Sequence, residues 1–328
     1  MNELARNIED SYDLSIKEMA LIQSSDDNDT YRIKTDSKIL FGRLSKRNNK
    51  SPASIDSELM FLNYLKSNGL PVAGTFPCEN GKNFAYVGDR LVVLFEWIDG
   101  EAGSVSKGAY PPLKKTYGAG RALAALHNVS AKYSGECALS RTLTTEMERV
   151  VSLRDEILKR YTDGKEFLEI ITRLIEFSAG HSEQERIIIH NDFRPQNVLF
   201  DRNDVAGIVD FDWMCLAPPE KDLALALVEW SFADGDVSAD LESFGSFLRG
   251  YMRDIDEQYA PVASGISQWI EYACLSDVAT YISDTMADEE IWGASDARQT
   301  KELRSYMLSK ARYFRSIDLE EIFKGIHR

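Results

Sequence analysis

Three oxygen-bearing side chains, Asp192, Asn197 and Asp210, stand beside short apolar runs in the stretch Glu185 to Trp213, and their types suit phosphate chemistry. Asn197 follows Asp192 by five residues, and Asp210 follows Asn197 by thirteen. A hard divalent cation such as magnesium takes oxygen ligands and keeps several waters. One carboxamide and one carboxylate, completed by substrate phosphate oxygens, therefore make a partial shell. On this reading Asn197 and Asp210 hold the metal, and Asp192 accepts the proton of an attacking hydroxyl. An Asp or Asn beside a strand end is commonly a turn residue alone. The weight lies in the joint pattern.

Positioning these groups falls to apolar strands that read as a hairpin around a polar turn, with His190 closing the first strand. Residues 1–100 read as strands with one helix. Tyr31 to Lys34 and Ile39 to Leu44 pair across Thr35-Asp36-Ser37, and Phe84 to Val87 pairs with Leu91 to Trp97. The helix opens at Ser54, places Leu59, Phe61, Leu62 and Leu65 on one face, and ends at Gly69. From about residue 108 the pattern is helical: Leu113 to His127, Thr144 to Tyr161, Lys165 to Ala179, Asp222 to Phe232, Asp240 to Asp254, Val262 to Met286 and Ala297 to Phe314. The predicted class is α+β, with a β-rich amino-terminal lobe at 1–98 and a larger helical carboxy-terminal lobe at 99–328.

A net charge of −15 argues against nucleic acid as a partner, because phosphate backbones demand clustered Lys and Arg. The four cysteines are far apart and form no C-x-x-C pair, which indicates neither zinc nor a disulfide framework. The opening residues are polar, and the longest apolar run, Leu91 to Phe95, is too short to cross a bilayer. The expectation is a cytoplasmic chain with reduced thiols and no membrane contact, in which the sequons at Asn28, Asn49 and Asn128 are chance matches.

HNDFRPQN at 190–197, VDFD at 209–212 and KDLALAL at 221–227 together resemble the catalytic and metal-binding motifs of the protein-kinase-like superfamily. In detail they are most similar to its aminoglycoside phosphotransferase and homoserine kinase branch. The resemblance implies a bilobal protein-kinase-like fold, ATP and Mg2+ as cofactors, and phosphoryl transfer to a hydroxyl of a small molecule. It implies nucleotide contacts at Asn28, in the phosphate-covering turn, at Arg43 with Glu58 orienting it, and at the backbone near Glu96 and Ile98 in the hinge. Asp222 would brace the catalytic loop, and His190 would be a scaffold residue. Arg194 falls where protein kinases carry a lysine that meets the transferred phosphate, so it joins Asp192 as a catalytic candidate.

Two departures qualify the resemblance. The phosphate-covering turn lacks glycine and carries Asp26, Asp27 and Asp29, whose charges must point away from phosphate; this keeps alive a catalytically weak, ligand-binding reading. Retention of Asp192, Asn197, Asp210 and Arg43 speaks against it. The seven residues from Asp210 to Ala217-Pro218 leave no room for the peptide platform of a protein kinase. For the acceptor, acids such as Asp234, Asp236, Asp240, Glu242, Asp284, Asp288, Glu289 and Glu290 would suit a polyamine, whereas KDLALALVEW is similar to homoserine kinases. His127, His181 and His327 read as surface or helix-terminal groups. Trp213, Trp230, Trp269 and Trp292 read chiefly as core, with an acceptor pocket as the other option.

Overall fold

Two elements precede the first expected hairpin in the computed structural model, α1 (Glu3–Tyr12) and β1 (Ile16–Ser24). This corrects the expectation of a single helix before residue 100. The structure describes residues 3–24, 28–46, 51–135, 137–139, 141–181, 186–233, 236, 238–287 and 308–326. Asp26, Asp27, Asn49, Asp234, Asp288, Glu289, Glu290, Trp292, His327 and most of the helix expected from Ala297 lie outside them. The chain divides into two units. One comprises Met1–Glu101, Tyr133–Ser140 and Ala206–Val209, the other Ala102–Lys132, Arg141–Val205 and Asp210–Arg328.

The first unit is built on a six-stranded antiparallel sheet. After β1 come β2 (Asn28–Thr35), β3 (Ile39–Ser45), α2 (Pro52–Ser67), β4 (Thr75–Phe76), β5 (Ala85–Val87) and β6 (Arg90–Glu96), with strand order β1-β2-β3-β6-β4 and β5 on β6. β6 sits between β3 and β4 and is buried from Leu91 to Phe95, which explains its unbroken apolar run. Ala5, Ile8 and Tyr12 of α1 pack with Ile16, Ile33, Leu40, Leu44, Cys78, Val92 and Leu94, and the Tyr12 hydroxyl donates to Val92 O at 2.8 Å. α2 starts two residues earlier than expected, because Ser51 caps it by accepting from Ser54 N. Its buried face carries Leu59, Phe61, Leu62 and Leu65 together with one acid, Glu58.

The second unit is mainly helical. After the short strand β7 (Glu101–Ala102) come α3 (Leu113–Ser130), α4 (Thr145–Ser152), α5 (Arg154–Arg160) and α6 (Gly164–Ala179). The single helix expected from Thr144 to Tyr161 is thus two, broken at Leu153, whose ψ of 15° leaves the helical region. β8 (Ile187–Ile189), β9 (Val198–Asp201), β10 (Asp204–Ile208) and β11 (Cys215–Ala217) follow, then α7 (Pro219–Ser231), α8 (Leu241–Asp254), α9 (Ala263–Ala287), α10 (308–315) and α11 (Leu319–Ile326). The hairpin expected around His190 is a different pairing: β8 lies antiparallel to β11, with Ile189 opposite Cys215, and β9 instead turns at Arg202 into β10. A positive φ at Asn191 and the proline-initiated 3-10 turn Pro195–Asn197 carry the chain out of β8's line, so the strand after the loop cannot return beside it.

α3 and α8 cross with their backbones almost touching: a Cβ on Gly120 would overlap the carbonyl of Phe247, and one on Gly250 the carbonyl of Tyr117. α7 is buried nearly throughout, Lys221 and Asp222 included. Among the described residues no helix is long and apolar enough to cross a membrane. Cys78, Cys215 and Cys274 are buried and Cys137 half-buried, all as free thiols.

Candidate active site

The 190–197 loop of the second unit is knit by its own polar groups. Asn191 adopts φ 61°, a left-handed conformation that Asn tolerates better than most residues. The turn it makes points the following residue, Asp192, back into the loop. Asn197 Nδ2 donates to Asp192 Oδ2 at 2.7 Å and to the Asp192 carbonyl at 2.9 Å. The Arg194 guanidinium lies 3.3 Å from the same carboxylate oxygen, with its side chain 45% exposed against 17% for Asp192. Because both contacts of the Asn197 side chain use its NH2, the amide oxygen is left as its acceptor atom, the orientation that a metal ligand requires. Gly103 closes the back of the loop. Its N–H donates to Val198 O at 3.0 Å, and a Cβ there would come within 2.8 Å of Pro195 O.

Beneath the loop lies a buried polar chain. The carboxylate of Asp222, in the first turn of α7, accepts from His190 N and Asn191 N, each at 2.8 Å, and meets His127 Nε2 at 3.1 Å. The other ring nitrogen of His127 meets the Tyr251 hydroxyl at 2.8 Å. Asp222, His127 and Tyr251 are all fully buried. Burial alone would raise the Asp222 pKa, but hydrogen bonds and charge from His127 and His190 outweigh it and hold the carboxyl below its ordinary range. An ionised Asp222 only accepts, so Nε2 of His127 carries the proton and, in the neutral ring, Nδ1 accepts from Tyr251. The close crossing of α3 and α8 brings these two side chains within reach. His127 thus corrects the expectation of a surface group. Its signal was its place one turn after Leu123 on the buried stripe of α3.

Asp210 stands on a separate turn. With φ 67° and ψ 66° it opens the 3-10 segment Phe211–Trp213, and Asn191 Nδ2 donates to Trp213 O at 2.9 Å, which ties that turn to the loop. Phe211 is buried against His190, ring centroids 4.5 Å apart. Among the described residues no group of three or more His, Cys, Asp or Glu is arranged to hold a metal. Asn197 and Asp210 together offer one amide oxygen and one carboxylate. Such a donor set fits magnesium only with phosphate and water completing it.

In the first unit, Arg43 on β3 pairs with Glu58 on α2 at 2.7 Å, with side chains 12% and 2% exposed, and the guanidinium also lies over Phe95. Asn28 is the first residue of β2, opposite Ser45. Next to it, Asp29 is neutralised on all sides: Arg90 at 2.8 Å, Lys46 at 3.2 Å and the Ser24 hydroxyl at 2.7 Å. The Arg90 hydrogen bond, with help from Ser24 and Lys46, holds its carboxyl down at about 2. Its charge therefore does not face phosphate unpaired. Glu96 ends β6 with its carboxylate on Lys66 and its N–H on Gly74 O at 2.9 Å, and Ile98 follows half-buried. Only backbone groups remain there for an adenine edge.

Of the acids expected to suit a polyamine, Asp240 is the N-cap of α8 and Asp236 accepts from Tyr110, both structural uses. His181 also departs from the surface expectation, packing against Phe177 and Trp269. Trp230 and Trp269 are core residues, whereas Trp213 is half-buried.

Comparison with known proteins agrees with this geometry. Two of the similar solved structures are an amicoumacin kinase, hAmiN, in complex with AMP-PNP, Ca2+ and Ami (TM-score 0.76, 14% identity, covering 97% of this chain and 96% of that one) and a microcompartment-associated aminopropanol kinase (TM-score 0.67, 18% identity, 98% of each). At these identities the likeness is one of fold. Among curated proteins, a homoserine kinase of Beijerinckia indica subsp. indica is 23% identical over 195 residues, 59% of this chain and 58% of that protein, and one of Methylocella silvestris is 33% identical over 119 residues, 35% and 36%. The chain therefore spans less than two thirds of the length of either. The model of the phosphotransferase enzyme family matches residues 18–259 of the 328, and the chain belongs to that family.

Proposed function

We propose that this protein is an ATP- and magnesium-dependent phosphotransferase that moves the γ-phosphate to a hydroxyl of a small molecule. The observation that carries this reading is the arrangement around Asp192, a carboxylate fixed by Asn197 at 2.7 Å and flanked by Arg194 at 3.3 Å, on a loop whose backbone hangs from the buried Asp222. Asp192 takes the proton of the acceptor hydroxyl as the new O–P bond forms and the bond to the β-phosphate oxygen breaks. Hydrogen bonding to Asn197 sets the carboxylate's rotamer before the acceptor arrives, which is worth more to rate than to binding. Arg194, the more exposed partner, offsets negative charge that spreads over the transferred group. Asn197 Oδ1 and Asp210 would hold magnesium, which when bound bridges phosphate oxygens and neutralises them. Arg43, oriented by Glu58, serves the nucleotide phosphates, with Asn28 beside them, and the backbone at Glu96 and Ile98 serves the base. Residence in the cytoplasm and freedom from nucleic-acid and membrane partners belong to the same reading, supported by the acidic net charge of −15.

Calorimetric titration with Mg-ATP, followed by ADP release over a panel of amino alcohols, sugars, choline and aminoglycosides, tests it. Saturable Mg-ATP binding with acceptor-dependent ADP release is the expected result. No binding at millimolar nucleotide would reject it.

A further inference from the structure

Arg141 rests on Trp213, its guanidinium carbon 3.5 Å from the ring centroid. Trp213 closes the turn that Asp210 opens, and its carbonyl is held by Asn191, the residue before Asp192. Unlike the buried Trp230 and Trp269, Trp213 keeps part of its surface in solvent, as does Arg141. A guanidinium stacked on an aromatic face has its plane fixed, while its N–H donors point outward along the edge. That is the direction from which it pairs with a carboxylate in fork geometry. The same turn and loop carry Asp192, Asp210 and Asp212. An acceptor bringing its own negative charge among them would be repelled unless a cation were placed to offset it.

We propose that Arg141, seated on Trp213, recognises an anionic group of the acceptor, which makes the acceptor a hydroxyl-bearing carboxylic acid, amino acids included. This rests on the phosphotransferase reading and adds the acceptor's chemistry to it. Nucleotide phosphate is the less suitable occupant. Arg194 and Asn197, assigned to phosphate and metal, follow Asp192 in the loop, whereas Arg141 reaches the loop through Asn191, which precedes it.

Matched acceptor pairs that differ only in a carboxylate test the proposal: L-homoserine against 3-aminopropan-1-ol, and L-serine against 2-aminoethanol, each followed by ADP release. The wild type should favour the carboxylated member in kcat/KM by about tenfold or more, the usual worth of a charge-assisted hydrogen bond. Arg141→Gln should bring that ratio to within about twofold of unity, through KM rather than kcat, and Arg141→Lys should restore part of it. A wild-type ratio near one, use of no carboxylated member, a ratio unmoved by Arg141→Gln, or an equal loss of Mg-ATP affinity in that variant would each overturn the proposal. Titration of the wild type with Mg-ATP separates the two levels. Absent nucleotide binding rejects the phosphotransferase reading itself, whereas nucleotide binding with transfer only to carboxylate-free acceptors rejects the role of Arg141 alone.

Discussion

Asp222 and Asp29 are both held below the ordinary carboxylate range, by opposite means. Asp222 is fully buried and depends on two backbone N–H groups and a histidine; no lysine or arginine touches it among the described contacts. Asp29 lies near the surface of the other unit and depends on Arg90 and Lys46, each with its side chain 35% exposed. Fixed dipoles in a dry interior set geometry and are indifferent to salt, whereas exposed cations supply charge that salt can screen. The loop carrying Asp192 is thus supported by the rigid kind of polar structure. The turn beside Asn28 is merely neutralised.

The sharpest way to break this contrast is to remove Asp222. Asp222→Ala leaves His127 and the N–H groups of His190 and Asn191 buried without their acceptor, so stability measured by urea unfolding should fall by about 3 kcal/mol or more. In the first unit, Glu58→Gln removes the charge that orients Arg43. It should raise KM for ATP about tenfold, measured by ADP release, with a smaller change in kcat. A subtler change is Tyr251→Phe, which deletes the donor that specifies the His127 tautomer. The expected loss is about 1 kcal/mol, and long-range 1H–15N spectra of the ring should change from a single Nε2–H form to a mixture. Retention of the single form would remove Tyr251 from the support.

The smallest effect belongs to Asp29. Its folded value of about 2 lies below the ordinary 3.8, so its contribution to stability is present above about pH 4 and lost as the pH falls through about 2. The difference in unfolding free energy between wild type and Asp29→Asn should shrink over that interval. It should also be weakened by 1 M salt at neutral pH, whereas the Asp222→Ala difference should not.

How much of this was legible depended on whether the signal was local. Asp192, Asn197 and Asp210 announced themselves through residue type and spacing, and β2, β3, β5 and β6 through short apolar runs between turns. α1 was hidden because its buried residues, Ala5, Ile8 and Tyr12, are spaced among acids and amides. β1 was hidden because, as an edge strand, it buries only Ile16 and so shows no alternation. The pairing of β8 with β11 across the whole loop is a long-range choice that hairpin reasoning cannot see. Similarly, the chain from Tyr251 through His127 to Asp222 joins residues about a hundred positions apart, and only the helix crossing at Gly120 and Gly250 brings them together. In the first unit the acidic turn looked hostile to phosphate until Arg90, 61 residues away, was found on Asp29.

The central claim is that Asp192 is the base of a phosphoryl transfer, and a single comparison tests it most directly: turnover of wild type and Asp192→Asn with Mg-ATP and an accepted hydroxyl compound, alongside their thermal unfolding. The account predicts a loss of about a hundredfold or more in kcat, with Mg-ATP affinity and the unfolding transition little changed. Turnover within tenfold of wild type, in a variant that is folded and binds nucleotide, would contradict it.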